Sequence, residues 1–596
     1  MILTQGHRLV KQIKYLMNFI LYYAIIREPY IKQIEAFKGS HVTITKEEAM
    51  EKFKLNIEYK VGKSVFSTNL FETEHFKISY KATKSHITLN MTSFVPLEIL
   101  NLTASVPYTF KADSRVFANG YQSWTECREM FKDDKQSHTF GPTSFAYRHS
   151  LLGAAGSYTF DDNVSRRGVF QGFSYIYVRN GGEYDLFASL TERTGYTIFT
   201  ADFNNNMITV QKDLEGVTVD GEYEILNFAE YVGNENFVFD KWFDELNIPK
   251  PSVTPKNGYT TWYNYYGKIN EKIVSDDLEA LSKVKADIDI FQIDDGYQSA
   301  TGDWLSIDNK KFPSGMKSAA DKIHSKGMLA GLWLAPFGVQ FTSKTATQHH
   351  DWLIRRKNGH PVTCGVNWGG FYALDIENPE VRNYIKNFFD VILNDWGFDL
   401  VKLDFLYAAA IIPNHGKSRG QLMCEAMDFL RECVGEKMIL GCGVPLMPAF
   451  GKVDYCRIGA DMGLSWKVPF FANREFISTY HTLGNSIFRR QLDGRAFLND
   501  PDVFLLRDEN IHCTFEQRKI IATVNKVFGS VLFTSDNVGK YNDEQMSVLL
   551  DTFRKSKIDV KSAEFLSENK QIMKFVYTQD GTEHTFKFNI DKGTIE

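Results

Sequence analysis

The chain has 596 residues, of which 43% are hydrophobic and 24% are charged, and its formal net charge is −5 at pH 7. This length predicts three or four domains, or fewer if one of them is a large barrel or sandwich. A net negative chain offers no basic field for a nucleic-acid backbone, so nucleic acid is not an expected partner.

The first residues contain a mostly apolar run from Tyr15 to Ile26, preceded by basic residues. The run is shorter than the roughly 20 residues that span a bilayer, and no small-x-small cleavage site follows it. We interpret residues 1–40 as an N-terminal extension of unclear role, expect no membrane association, and keep export as the lesser alternative. The seven cysteines form no CxxC pair and no Cys/His ligand spacing, which favours a reduced, cytoplasmic protein over a disulfide framework or a zinc site.

Residues 41–249 have the pattern of an antiparallel β-sandwich. Runs such as FKISYKA, SHITLNMT and YTIFTADF alternate apolar and polar residues, as strands with one buried face do. Turn residues separate these runs, as at Asn180-Gly181-Gly182. The segment PKPSVTP then predicts a linker, because prolines and small polar residues continue neither a helix nor a strand.

Residues 256–540 alternate short buried strands with amphipathic helices. Eight strands alternating with helices over about 280 residues predict a parallel (β/α)8 TIM barrel. The expected strands are Tyr259–Asn264, Ile288–Ile293, Leu329–Leu334, Leu400–Phe405, Met438–Cys442, Tyr455–Ile458, Ala496–Leu498 and Val531–Thr534.

The last stretch, from about Asp543 to Glu596, is predicted to return to β structure. KQIMKFVYT and HTFKFNI flank Gln579-Asp580-Gly581, which is a hairpin signal. We therefore assign residues 541–596 to a small C-terminal antiparallel β domain, so that the whole chain is a multidomain α/β plus β protein.

In a (β/α)8 barrel the active site lies at the carboxyl ends of the strands, so polar residues at these ends are the first candidates for catalysis. Lys402 and Asp404 are two residues apart and share one face of their strand, while their apolar neighbours, Phe405 among them, are expected to pack outward. A buried charged pair is costly unless it lines a site. A structural salt bridge inside the barrel is the alternative.

A second charged pair follows the sixth predicted strand. Arg457, Gly459 and Asp461 share a face by the same alternation, and Gly459 is expected to leave room for a ligand. Arginine at this place would hold a sugar hydroxyl or orient the carboxylate. The alternative is a simple Arg–Asp pair.

Strand two ends in the adjacent carboxylates Asp294 and Asp295, which cannot both face inward on a regular strand. The strand must therefore turn there, where carboxylates accept hydrogen bonds from vicinal diols or bind a metal. No further oxygen ligands stand at a suggestive spacing, so no metal is expected. Trp333 lies between Gly331 and Ala335 on its face and would either stack on a sugar ring or fill the barrel core.

Two barrel carboxylates on different strands match the demand of glycoside hydrolysis. One attacks the anomeric carbon, and the other protonates the leaving oxygen and then activates water. The attacking carboxylate must be ionised, and Lys402 is expected to lower the pKa of Asp404.

Several motifs resemble a known family in their order along the chain. FQIDDGYQSATGDW, KFPSGMKSAADKIHSKGMLAGLWLAPF, LVKLDF, ILGCGVPL, DYCRIGAD and FLNDPDVFLLR lie between about Gly258 and Arg507. Together they resemble the melibiases of glycoside hydrolase clan D, and most of all the family 36 α-galactosidases. Upstream, NGYQSWTE resembles a segment of the family's N-terminal sandwich. Two positions depart from the pattern, Tyr297 where many members have Trp and Ala460 where close members have Pro.

The resemblance implies the principal roles. Asp404 would be the nucleophile and Asp461 the general acid/base of a retaining α-galactosidase. Asp294 and Asp295 would bind the axial 4-hydroxyl and the 6-hydroxyl of galactose. Lys402 would hydrogen-bond the sugar near the nucleophile.

The resemblance also implies the remaining contacts and the partners. Cys442 and Arg457 would surround the 2-hydroxyl, Trp333 would contact the ring, and Trp124 would reach the pocket from the sandwich domain. The expected substrates are α-galactoside oligosaccharides of the melibiose and raffinose type. No metal and no organic cofactor is expected, and a homo-oligomer is possible in such a family.

Other functions stay open at this point. An α-N-acetylgalactosaminidase or a transglycosylase transferring α-galactosyl groups would use the same two carboxylates. A non-catalytic carbohydrate-binding protein would lose one of them, yet Asp404 and Asp461 are both present. A purely structural protein would not explain the ordered polar residues at the strand ends.

Overall fold

The structure is a computed structural model, and it describes residues 54–82, 85–137, 166–467 and 474–596. The apolar run of the N-terminal extension lies outside these residues. Within the described ranges, no helix combines the length and the apolar character that crossing a membrane requires.

The N-terminal part consists of two seven-stranded antiparallel sheets packed face to face. Their strands alternate buried and exposed positions, as in Lys54–Val61, because successive side chains of a strand point to opposite faces. Ile57 and Leu102 of one sheet share a core with Leu89 and Leu226 of the other. A β-sandwich is therefore present where the alternating pattern predicted it.

The sandwich strands are β1 Lys54–Val61, β2 Ser64–Thr68, β3 Phe76–Ala82, β4 His86–Ser93, β5 Leu97–Pro107, β6 Arg115–Ala118, β7 Glu129–Phe131, β8 Val169–Phe173, β9 Tyr175–Asn180, β10 Glu183–Ser189, β11 Thr197–Asp202, β12 Met207–Lys212, β13 Thr218–Val219 and β14 Glu222–Gly233. One sheet has the order β2-β1-β5-β12-β11-β8, with β13 paired to β5. The other has the order β3-β4-β14-β10-β9-β6-β7.

The central part is built on a nine-stranded parallel sheet that curls. Its order is β24-β23-β22-β21-β17-β16-β15-β26-β25, and only Pro501 and Asp502 separate the two end strands, β24 and β25, along the chain. The strands of this part are β15 Lys256–Thr260, β16 Ile290–Ile293, β17 Leu329–Leu334, β18 Gly338–Gln340, β19 Thr363–Gly365, β20 Phe371–Ala373, β21 Leu400–Leu403, β22 Met438–Gly441, β23 Tyr455–Arg457, β24 Leu498–Asp500, β25 Val503–Phe504 and β26 Val531–Thr534.

Helices connect the parallel strands, and side-chain caps start several of them. Asn270, Asn378, Ser418 and Thr514 each accept a backbone N–H of the first turn, which supplies a partner for a donor that the helix itself leaves free. The α-helices are Glu235–Leu246, Trp262–Tyr265, Glu271–Leu281, Gly315–Ser325, Lys344–Gln348, Pro379–Asp390, Arg419–Val434, Leu446–Ala449, Thr479–Phe488, Phe515–Phe528 and Asp543–Phe553.

Shorter turns complete the connections. The small antiparallel sheet β18-β20-β19 projects from the loop after β17. A π-helical segment extends over Val391–Asp395. The 3₁₀ segments are Tyr266–Lys268, His350–Trp352, Asn367–Gly369, Leu406–Ala410, Arg490–Leu492 and Val538–Lys540.

The C-terminal residues form a four-stranded antiparallel sheet of β27 Ile558–Phe565, β28 Ile572–Gln579, β29 Thr582–Asn589 and β30 Thr594–Ile595. The predicted hairpin is confirmed, because Asp580 and Gly581 both take positive φ between β28 and β29. The expected β structure from Asp543 onward is wrong at its start. Asn542 and Gln545 form a capping box there, and the chain first makes the helix Asp543–Phe553.

Two predicted strands of the parallel sheet are displaced. The first ends at Thr260 rather than Asn264, because Trp262–Tyr265 is helical. The seventh was expected at Ala496–Leu498, but the sheet uses β24 and β25 farther along the chain. The domain boundaries near 249 and 540 remain predictions.

Candidate active site

A cavity of about 340 Å³ opens at the carboxyl ends of the parallel strands. Asp294 and Asp295 follow β16, Asp404 follows β21, and Asp461 lies four residues beyond the end of β23. The cavity is lined by Trp124, Trp262, Asp294, Asp295, Trp333, Gly365, Val366, Asn367, Trp368, Lys402, Asp404, Phe405, Tyr407, Ala460, Asp461, Glu475, Phe476 and Ile477. Seven of the nine predicted site residues therefore line one cavity.

Asp404 is buried and fixed by two N–H donors. Trp333 Nε1 donates to its Oδ2 at 3.1 Å, and the backbone N–H of Phe405 donates to its Oδ1 at 2.8 Å. Burial raises the pKa of Asp404, while the Lys402 charge and the Trp333 hydrogen bond oppose the rise. The expected lowering by Lys402 is present, but the net direction is upward because burial outweighs it.

Lys402, on β21, pairs with the carboxylate of Asp294, which follows β16. Its Nζ lies 2.9 Å from Asp294 Oδ2, an oxygen that also accepts from Gln292 Nε2 at 2.7 Å. Burial alone would lower the pKa of Lys402, yet the surrounding acidic groups, Asp294 foremost, raise it. The lysine is therefore a fixed cation on the floor of the cavity.

Asp295 follows Asp294 in the turn after β16 and also lines the cavity. Its Oδ2 accepts from Trp368 Nε1 at 2.7 Å and its Oδ1 accepts from Gln298 Nε2 at 2.6 Å. Burial raises the pKa of this carboxyl group, and these two hydrogen bonds oppose the rise. The prediction that the strand turns at this pair is confirmed, since β16 ends at Ile293 and both carboxylates line the cavity.

Asp461 is more open than Asp404, with 28% of its side chain exposed. Arg457 Nη2 donates to its Oδ1 at 3.1 Å, and Arg457 Nη1 lies 3.2 Å from Asp502 Oδ1. Asp502 is fully enclosed and also accepts from the backbone N–H of Met462 at 2.7 Å and from the Tyr263 hydroxyl. Arg457 is thus held between two carboxylates, and burial raises the pKa of Asp502.

Cys442 and Trp124 form a wall between the sandwich and the parallel sheet. Trp124 Nε1 donates to Cys442 Sγ at 3.3 Å, and Arg457 Nη1 lies 4.0 Å from the same sulfur. Gly443 has φ +55°, and a Cβ there would meet the Trp124 indole at 2.8 Å, so glycine is required for this approach. Burial raises the pKa of the Cys442 thiol, which is therefore neutral. Trp124 lines the cavity, whereas Cys442 and Arg457 lie behind it.

Two local expectations are wrong. Phe405 does not pack outward, because β21 ends at Leu403 and Phe405 turns into the cavity with φ +53°. Gly459 leaves room for a helix rather than a ligand, since a Cβ there would lie 3.3 Å from Thr482 and Asn485 of helix Thr479–Phe488.

Three aromatic residues at this site have a left-handed backbone, Tyr266, Trp368 and Phe405, with φ of 48°, 57° and 53°. Bulky side chains rarely adopt this region, and such strain concentrates at functional sites. Two of the three rings, those of Trp368 and Phe405, line the cavity.

Several lining residues were not predicted from the sequence. Trp262 and Trp368 lie in the short helical segments Trp262–Tyr265 and Asn367–Gly369, and Phe476 and Ile477 lie in the loop before helix Thr479–Phe488. None of them carries a sequence pattern of its own. Glu475 also lines the cavity, and burial raises its pKa to about 8. Only the density of aromatic residues in these loops could have indicated them.

The carboxylates of the cavity are engaged with cations and N–H donors rather than grouped around a common point. Across the four described stretches of the chain, no three His, Cys, Asp or Glu side chains are arranged to hold a metal ion.

The fold and the position of the cavity resemble those of one structural class of enzymes. Carboxylates from β16, β21 and the turn after β23 converge at the carboxyl face of a curled parallel sheet with helical connections, as in barrel enzymes. The family model described as Melibiase matches residues 260–425, the segment with Asp294, Asp295 and Asp404. This match to the Melibiase model confirms the resemblance drawn from the motifs.

Individual relatives agree with this assignment. α-Galactosidase 1 of Pediococcus pentosaceus is 30% identical over 180 residues, which are 28% of this chain and 23% of that protein. The A type blood α-D-galactosamine galactosaminidase of Flavonifractor plautii is 27% identical over 177 residues, or 28% and 16% of the two chains. The chain thus spans a quarter or less of the length of these relatives.

Among solved structures, the α-galactosidase TtGalA of Thermus thermophilus, in complex with p-nitrophenyl α-D-galactopyranoside, has the same fold. The superposition has a TM-score of 0.67 and covers 89% of this chain and 98% of that chain, at 24% identity.

Proposed function

We propose that this protein is a retaining α-galactosidase that removes terminal α-linked galactose through a covalent glycosyl-enzyme. The observation that carries the proposal is the pair of carboxylates Asp404 and Asp461, which line one cavity in different environments. Two carboxyl groups with distinct surroundings are what the reaction requires, because one must attack while the other exchanges protons.

In the first step Asp404 attacks the anomeric carbon as the bond to the leaving oxygen breaks. Asp461 gives its proton to that oxygen, so the aglycone departs as a neutral alcohol. The N–H groups of Trp333 and Phe405 fix the attacking carboxylate. Fixing it reduces the orientational entropy that the attack would otherwise cost.

In the second step the ionised Asp461 takes a proton from water, and the oxygen attacks the same carbon from the face that the aglycone left. Asp404 is released, and galactose leaves with the α configuration. The partial exposure of Asp461 supports this role, since water must reach it.

The remaining residues would bind the sugar. Asp294, paired with Lys402, and Asp295, paired with Trp368, present carboxylate oxygens suited to the 4- and 6-hydroxyls. Trp333 offers its ring beside the nucleophile. Arg457 and Cys442 would bound the region of the 2-hydroxyl, with Trp124 at its wall.

We further infer that the curled sheet is a closed (β/α)8 barrel in which β24 and β25 are one bent seventh strand. β24 pairs with β23, β25 pairs with β26, and the two segments are adjacent in the chain. The bend at Asp502, with φ +72°, directs its carboxylate toward Arg457.

The test is hydrolysis of a panel of p-nitrophenyl glycosides by the purified chain. We expect rapid cleavage of the α-galactoside and little cleavage of the β-galactoside or α-glucoside. Preferred cleavage of the α-N-acetylgalactosaminide, as the name of the Flavonifractor plautii relative would suggest, would keep the mechanism and overturn the 2-hydroxyl assignment. No cleavage of any α-glycoside would overturn the proposal.

A further inference from the structure

The cavity changes character from its floor to its mouth. Asp294, Lys402 and Asp404 on the floor are buried to 9% exposure or less. At the mouth, Val366 and Ile477 are 45% and 54% exposed. These three charged side chains therefore lie deep, whereas Val366 and Ile477 face the entrance.

Exposed apolar residues are concentrated at this entrance. The described part of the chain has ten large hydrophobic side chains that are exposed, and four of them surround the mouth. The other six lie in the sandwich region or near the C-terminus. The four are Tyr266, Val366, Phe476 and Ile477; Tyr266 packs edge-on against the lining residue Trp262, with ring centroids 5.1 Å apart.

Among the lining residues that the structure describes, few polar groups accompany these apolar side chains. Tyr407 donates its hydroxyl to the Cys364 carbonyl at 2.9 Å, and Trp368 donates its N–H to Asp295. Glu475 accepts from Thr125 at 2.8 Å. These three groups thus already have hydrogen bonds within the protein, and the other polar lining groups outside the floor include the Asn367 amide, the Trp262 indole and the Asp461 carboxylate.

The apolar mouth lies beside the proposed general acid. The backbone N–H of Ser478 donates to the Asp461 carbonyl at 3.3 Å, so the segment Phe476–Ile477 lies alongside Asp461. Since the general acid must touch the leaving oxygen, the aglycone must occupy the space next to it. The aglycone therefore meets Phe476 and Ile477 rather than the charged floor.

We propose that the mouth, formed by Trp262, Val366, Phe476 and Ile477, is an aglycone site for an apolar leaving group, an alkyl chain or aryl ring. This inference rests on the proposed α-galactosidase function and narrows its substrate class. A second hexose would need hydrogen-bonding partners for its hydroxyls that this mouth scarcely offers, whereas an apolar chain gains free energy by leaving water.

The experiment compares methyl α-galactoside, hexyl α-galactoside and melibiose. All three release an unactivated alcohol (methanol, hexanol or the 6-hydroxyl of glucose), so differences in kcat/KM report contacts of the aglycone rather than leaving-group ability. We expect the hexyl compound to exceed the methyl compound about tenfold, because two or more methylenes become buried. Melibiose is expected to fall below the hexyl compound.

Paired variants locate the effect. Val366→Thr with Ile477→Asn should lower the hexyl-to-methyl ratio about threefold or more. The matched control Val65→Thr with Leu100→Asn changes exposed residues of the sandwich, 56% and 48% exposed, and should leave the ratio as it is.

Different outcomes would reject the apolar aglycone site and the proposed α-galactosidase function. Efficient hydrolysis of melibiose, with hexyl and methyl compounds equal, would overturn the apolar aglycone site and leave the α-galactosidase standing. Equal ratios in the mouth variants and the wild type would also overturn it. No hydrolysis of these compounds or of p-nitrophenyl α-galactoside would overturn the proposed function itself.

Discussion

The two central carboxylates are held in opposite ways. Asp404 is buried and receives two N–H donors, from Trp333 and from the backbone of Phe405. Asp461 is partly open and receives one donor, from Arg457, whose other nitrogen is fixed by Asp502. A fixed, dry group suits attack on carbon, and an open group suits proton exchange with water, so surroundings rather than residue type separate the proposed roles.

The largest effect is expected from Asp404→Asn, which keeps the shape and the acceptor for Trp333 but removes the nucleophile. Turnover of p-nitrophenyl α-galactoside should fall about 10⁴-fold or more. Steady-state rates measure the loss, and a melting curve close to the wild type serves as the control for folding. A variant with wild-type turnover would refute the assignment of Asp404.

Asp461→Ala should lose about 10²–10⁴-fold on methyl α-galactoside and much less on aryl galactosides with good leaving groups. The reason is that only proton transfer is removed. Added azide should restore the rate and yield α-galactosyl azide, identified by NMR. Equal losses on all leaving groups, with no azide product, would speak against the acid/base role.

Asp502→Asn tests whether the contact between Asp502 and Arg457 supports the proposed acid/base role of Asp461. Losing one anchor lets Arg457 and Asp461 shift, and a misplaced catalytic group costs up to about hundredfold. The loss should be greater on methyl than on good aryl leaving groups. Asp493→Asn, which changes a half-buried carboxylate bonded to Ser530 and the Asn499 N–H, is the matched control. It should alter stability without altering that leaving-group dependence, and identical behaviour of the two variants would reduce Asp502 to a structural role.

Lys402→Met tests how the lysine charge affects the pKa of Asp404, the proposed nucleophile. Burial raises the pKa of Asp404 and Lys402 opposes this, so removing the lysine raises that pKa further. Only the ionised carboxylate attacks, and activity is lost as pH falls through its pKa. The acidic limb of the kcat/KM profile should therefore move to higher pH. Lys526→Met, a buried lysine paired with Asp551, should leave the limb in place; an unmoved limb in Lys402→Met would contradict the account.

The smallest effect is expected from chelation. Asp294 is bonded by Lys402 and Gln292, and Asp295 by Trp368 and Gln298. Both carboxylates thus already have partners within the protein and need no metal ion to balance them. Overnight treatment with EDTA should leave kcat/KM unchanged. A large loss that Ca²⁺ or Mg²⁺ restores would revive the metal alternative at this pair.

Much of the fold could be predicted from the sequence. Strands Leu329–Leu334 and Val531–Thr534 have the predicted bounds, because a continuous apolar run between turn residues is a strong local signal. The first strand was misplaced because its aromatic residues belong to the helix Trp262–Tyr265. Local apolar character does not distinguish a buried strand from a short helical turn.

Site residues that follow strand ends could be predicted from the sequence. Site residues whose position depends on tertiary contacts were harder to predict. Asp294, Asp404 and Asp461 follow strands of one sheet, so topology alone brings them together. Asp502 lies in the motif FLNDPDVFLLR, yet its ion pair with Arg457 depends on the bend between two strand segments. Ile477 and Val366 enter the cavity from loops distant in sequence, which no local pattern reveals.

Retention is the central claim, and the anomer of the first product tests it most directly. Proton NMR during the first minutes of p-nitrophenyl α-galactoside hydrolysis separates α- from β-galactose before mutarotation mixes them. The account predicts that α-galactose appears first, as two displacements at one carbon require. Initial release of β-galactose would show a single displacement and contradict the role of Asp404 as the nucleophile.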